Sequence, residues 1–200
     1  MNERTGDAVA RPDRMPLLPD RRLTPQQRHA ADQVRTGPRG ELSGPFVPLL
    51  YSPAALSPLQ ELGSYLRFES TLPRAVFELA VLMTAHSNDQ PYEWAFHKPL
   101  ARAAGLSPAA IDAISRGQQP DDLDIDQLAA FAVVAELLQT RRVSDRRYRD
   151  ALTLLGEQGV IDLVVTIGYY TTLALVMNTA QTPAPTVDDD PATTDSKAVR

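Results

Sequence analysis

The stretch LPRAVFELAVLMTAHSNDQPYEWAFHKPLARAAGL, residues 72–106, decides how this chain is read. It holds two of the chain's three histidines, its only tryptophan, and two carboxylates set among apolar residues. Glu78 lies between Phe77 and Leu79 in an otherwise apolar helical pattern, with Ala75, Leu82 and Ala85 also at helical spacing from it. A carboxylate taken out of water is costly unless it is paired or hydrogen-bonded, so Glu78 requires a partner. The candidates just downstream are His86, Tyr92, Glu93 and His97. On one helix Glu93 and His97 are four apart, which puts both on the same face as a possible acid/base pair. His86 is eight residues beyond Glu78, about 12 Å along a helix axis, so those two do not meet directly; a helix-end position is its simpler reading.

Working outward from this stretch, helix signals follow one another. Thr24-Pro25-Gln26-Gln27 is a helix start with a hydroxyl N-cap, proline at the first helical position and glutamine at the capping-box position, and the helix stops near Gly37. Residues 40–53 have no regular period but are too apolar for a free loop, and are expected to wrap the core or line a pocket. Ser57-Pro58 opens a helix to about Phe68, Pro73 one to about His86, and YEWAFH lies on the next, which Pro99 should kink and Gly105 end. Ser107-Pro108 caps a short helix closed by Gly117. Asp124 with Gln127 starts a long helix through Arg141. Ser144 caps another, broken at Gly156, and a last helix runs to about Asn178. No strand-like alternation appears, so the expected fold is an all-α bundle of about seven helices. Residues 1–14 and the acidic 183–200 read as disordered tails around one domain at 15–182.

Composition excludes several functions. The formal charge is −5, with no basic run, which argues against a nucleic-acid partner. Cysteine is absent, so disulfides, thiolate metal sites and thiol redox chemistry are excluded. Residues 160–177 are apolar enough to suggest a membrane span. They carry Asp162, Thr166, Tyr169, Tyr170, Thr171 and Thr172, so a buried helix is the expectation and no membrane partner is. A helix apolar around its whole circumference needs cover, which in a chain of this length points to a homo-oligomer. No signal-peptide pattern opens the chain, and the expected compartment is the cytoplasm. A metal is not expected, because a di-metal carboxylate bundle needs a Glu-x-x-His pair from each of two helices, and here a single pair stands at i, i+4.

Glu78, YEWAFH with His97, and the run Ala101, Ala104, Gly105-Leu106-Ser107 together resemble the carboxymuconolactone decarboxylase family, which includes the alkylhydroperoxidase D-like proteins. The likeness extends over ELSGPFVPLLYSP, SYLRFESTLP and GEQGVIDLVVTIGYYTTLALVMN, or residues 23–180. The resemblance implies an alkylhydroperoxidase D-like helical fold assembled as a trimer or hexamer. In the peroxidase branch a Cys-x-x-Cys precedes the His, and the two positions here are Gln90 and Glu93, so peroxide chemistry has no nucleophile. The decarboxylase branch needs no cysteine and no cofactor. It implies His97 as general acid/base, Glu93 or Glu78 as its partner, and a small lactone or carbonyl acid as substrate. Arg67, Tyr92, Trp94, His86 and Tyr169 are the candidate substrate-binding residues. Arg67 is placed to anchor a second carboxylate, while Arg67 and Arg74 both flank Glu78. Another lyase or isomerase reaction, or a non-catalytic oligomeric binding protein, remains open.

Overall fold

The capping signals become helix boundaries in a computed structural model, which describes residues 13–185. The tails expected at 1–14 and 183–200 lie largely outside the described residues. Arg14, at the edge of the first of them, is held by its backbone N–H, 2.7 Å from the Ala180 carbonyl.

Thr24 and Gln27 form a reciprocal capping box, and α1 runs over Pro25–Thr36. A short α2, Phe46–Leu49, falls in the apolar stretch that lacked a period. Helix α3 spans Pro53–Phe68, α4 Arg74–Ser87, α5 Pro91–Ala103, and α6 Pro108–Ser115 under the Ser107 cap. The Asp124–Gln127 capping box opens α7, Ile125–Thr140, and α8 covers Asp145–Ala180. Among the described residues there are eight α-helices and no strand.

Helix α5 carries Pro99 inside it and runs on to Ala103, where Leu100 and Ala101 are buried. Two local expectations change. Helix α3 begins at Pro53 rather than Ser57, because Pro53 already satisfies the first helical position and Pro58 is accommodated inside the helix. Ser144 does not cap α8 with its side chain; its hydroxyl donates instead to Glu136, 3.0 Å away. The break at Gly156 is real: its φ of 70° and ψ of 175° interrupt α8, in a region that only glycine enters without strain.

Helix α4 is the central one. All ten residues from Val76 to Ala85 are buried, and α5, α6, α7 and α8 pack around it. The helix that looked apolar all round is α8, and it keeps one apolar stripe outside: Ile161, Val164 and Leu175 are exposed. Its opposite face packs on α4 and α7. Asp162, a charge in the middle of this helix, is buried and accepts hydrogen bonds from the hydroxyls of Tyr65 (3.1 Å) and Ser70 (2.7 Å), which ties α8 to the end of α3. These contacts put the first turns of α5, the end of α3 and the middle of α8 around one pocket.

Candidate active site

Glu78 is fully buried on α4 and has two partners. Its Oε2 lies 2.7 Å from His97 Nδ1, across the α4–α5 interface, and its Oε1 lies 2.7 Å from Arg74 Nη2, one turn earlier on α4. Arg74 also donates to the Arg67 carbonyl at 2.8 Å, which fixes the guanidinium between the two helices. On the other side of the imidazole, His97 Nε2 is 3.3 Å from Glu93 Oε2. Both ring nitrogens therefore face carboxylates, an arrangement that fits an imidazolium donating to each. Burial alone would pull the His97 pKa down. The charge and hydrogen bond of Glu78, aided by Glu93, reverse that, and the net shift is upward.

The pair sits in an aromatic frame. Tyr170 stands edge-on to the imidazole with centroids 5.1 Å apart, Phe96 lies 5.2 Å away, and Phe77 closes the far side at 6.5 Å. Tyr92 stacks on Phe96. Gly44 lets the 40–45 segment lie on this stack: it has a φ of 55°, and a Cβ there would come within 2.5 Å of the Tyr92 ring. Side chains excluding water around an ion pair strengthen it.

The pocket beside Glu93 and His97 is walled by Arg39, Phe46, Arg67, Tyr92, Phe96 and Tyr170. Its free volume is about 70 Å³. Glu93 Oε1 is buried with no hydrogen-bond partner, so the pair has an open acceptor. Arg67 lies over the rings of Phe96 and Phe68, 5.2 and 5.3 Å from their centroids.

Of the residues singled out from sequence, Glu78, Glu93 and His97 come together, with Tyr92 and Arg67 on the pocket wall. Both carboxylates, rather than one, flank the histidine. Trp94 and His86 are placed elsewhere: on the next face of α5 the indole meets His86 edge-on at 6.5 Å, and the two line a separate open groove with Ser115. Neither reaches His97, since Trp94 follows Glu93 by one residue and so points about 100° away around the helix. Tyr169 lies behind the pocket wall against Gly63, and it is the adjacent Tyr170 that faces His97. Burial pushes the Tyr169 phenol up to about 12, with Arg39 acting the other way, and raises that of Tyr170 well above its ordinary value. Arg39 carries no sequence signal, while Ser43 and Phe46 come from the 40–53 stretch expected to wrap the core or line a pocket; all three enter the site because this irregular segment folds over it. Gln90, at the first of the two thiol positions of the peroxidase branch, caps α5 and donates to Asn178 at 2.8 Å. Among the described residues no group of three or more His, Asp or Glu has the spacing to hold a metal.

The sequence profile of the carboxymuconolactone decarboxylase family matches residues 53–136, which contain Glu78, Glu93 and His97. Over these residues the chain is similar to that family. No functionally curated protein matches the chain. Solved structures show the same AhpD-like helical fold. An uncharacterized peroxidase-related protein with an alkylhydroperoxidase AhpD core from Ralstonia eutropha JMP134 superposes with a TM-score of 0.72 at 16% identity, over 88% of this chain and 94% of that one. The debrominase Bmp8, solved with 2,3,4-tribromopyrrole, gives 0.66 at 12% identity, over 92% of this chain and 96% of its own. A protein of unknown function from Agrobacterium tumefaciens, described as an AhpD antioxidant-defence protein, gives 0.60 at 16% identity, over 69% and 95%. At these identities the likeness is one of fold.

Proposed function

We propose that this protein is a cofactor-free decarboxylase of the carboxymuconolactone decarboxylase family that works by proton transfer on a small lactone or carbonyl acid. The observation that carries the proposal is the arrangement Arg74–Glu78–His97–Glu93, in which a buried imidazole stands between two buried carboxylates beside a small pocket that Glu93 and His97 line. In the reaction the C–C bond to the departing carboxylate breaks and its electron pair passes into the conjugated lactone carbonyl. Carbon dioxide leaves, and as the carbonyl re-forms the carbon α to it takes a proton from the His97–Glu93 pair, which solvent then replaces. Glu78 and Arg74 keep the imidazole oriented and favour its charged form, so the donor is loaded before substrate arrives. Thiol peroxidase chemistry is disfavoured because the chain has no cysteine. The exposed apolar stripe of α8 supports a homo-oligomer as the working form.

Carbon dioxide release from freshly generated 4-carboxymuconolactone, by the protein and by its His97→Ala variant, tests the proposal. Release by the parent alone is expected. Release by neither removes this substrate, and equal release by both removes His97 from the mechanism.

A further inference from the structure

Besides Glu93 Oε1, the buried polar atoms without a hydrogen-bond partner include Arg39 Nε, Arg39 Nη2 and the Tyr169 hydroxyl. The Arg39 and Tyr169 groups converge on one place. A Cβ built on Gly63 would lie 2.0 Å from the Tyr169 hydroxyl and 2.5 Å from Arg39 Nη2, so both groups press against the bare backbone of α3 where a larger residue would exclude them. The Arg39 guanidinium is held from its other side by the Phe46 ring, 4.6 Å from the centroid. Nε and Nη2 are the side-on pair of the guanidinium, whose N–H bonds run parallel and fit the two oxygens of one carboxylate. The Tyr169 side chain is only 3% exposed. A buried guanidinium edge and a buried phenol, both left without acceptors, are a costly arrangement unless something accepts from them.

We propose that Arg39, backed by the Tyr169 hydroxyl behind the pocket wall, forms a carboxylate-binding subsite that anchors the acid group the substrate retains. Arg39 lines the same pocket as Glu93 and His97, and it comes from the segment ahead of the family-matched residues 53–136. The assignment to the retained carboxylate rests on the decarboxylase reading. An ion pair to the departing carboxylate would stabilise the ground state and be lost as carbon dioxide forms, slowing the reaction, whereas a pair to a remote carboxylate is kept throughout and positions the substrate. Burial keeps the Tyr169 phenol protonated, so it adds no negative charge beside the guanidinium.

The test is a titration of the full chain with formate, followed through the Arg39 Nε–H signal in 1H–15N spectra, with formamide and inorganic phosphate in parallel. Formate should shift that signal saturably, and formamide should not. Arg39→Gln should weaken formate binding about tenfold or more, the loss of a charge-assisted bond, and Tyr169→Phe should weaken it less. Glu93→Gln should still bind formate. No response of the Arg39 signal to formate, equal binding to formamide, binding of phosphate alone, or undiminished formate binding by Arg39→Gln would each overturn the subsite. Because the parent's own signal is read, the result stands even if a variant fails to fold. Absence of turnover on 4-carboxymuconolactone would leave the formate result unchanged, so the two proposals fail separately.

Discussion

Glu78 on α4 reaches His97 on α5 at 2.7 Å, and this contact joins the most buried carboxylate of the chain to its most buried histidine. The two residues are nineteen apart in sequence, so the pairing depends on how α4 and α5 pack. The contact is structural and chemical at once, because it holds two helices together and sets the charge of the imidazole.

Removing that carboxylate should therefore be felt in both respects. Glu78→Ala leaves Arg74 and His97 without their shared partner and should destabilise the fold by about 3–5 kcal/mol, the usual cost of breaking a buried pair from one side. Urea unfolding measures it. A loss under 1 kcal/mol, below the usual range for one hydrogen bond to a charged group, would mean that the network contributes little to the fold.

The raised pKa of His97 gives stability a definite pH dependence. The folded value lies above the unfolded value of 6.5, so the stabilisation is fully present below 6.5 and is lost as pH rises through the folded pKa. The difference in unfolding free energy between the parent and His97→Gln should shrink from mildly acidic to alkaline pH. A difference that grows with pH would show that the shift has the opposite sign.

Gly63 should not tolerate a side chain. Gly63→Ala places a methyl group 2.0 Å from the Tyr169 hydroxyl and should cost about 1–3 kcal/mol through overpacking, even though alanine favours a helix. Thermal unfolding should show a lower Tm. A raised Tm would mean that Tyr169 moves away at no cost.

Glu93 stands at the second thiol position of the peroxidase branch, 3.3 Å from His97 Nε2. Glu93→Cys should place a thiol beside the imidazolium and lower its pKa below the ordinary value of about 8.5. The pH dependence of iodoacetamide alkylation reads this directly. An ordinary or raised thiol pKa would contradict a charged His97.

Much of this was legible in sequence wherever the signal is local. The capping residues Thr24, Ser107 and Asp124 mark their helices because a cap is a contact three residues long. Glu93 and His97 are readable as a pair for the same reason. The need of Glu78 for a partner was also readable, but the choice among His86, Tyr92, Glu93 and His97 was not, because helix packing decides it. Tyr169 and Tyr170 are neighbours about 100° apart on α8, and only the packed structure shows which one meets the imidazole. Arg39 gave no signal at all. It is one arginine among glycines and prolines, and its place follows from the path of residues 37–45 over the end of α3.

The measurement that bears most directly on the central claim, a proton held between His97 and Glu93, is a 15N NMR titration of the His97 ring. Both ring nitrogens should be protonated on the acid side of a single transition, its midpoint should lie above 6.5, and Glu93→Gln should lower that midpoint. A midpoint below 6.5, or a neutral ring with one bare nitrogen in mildly acidic solution, would contradict the account.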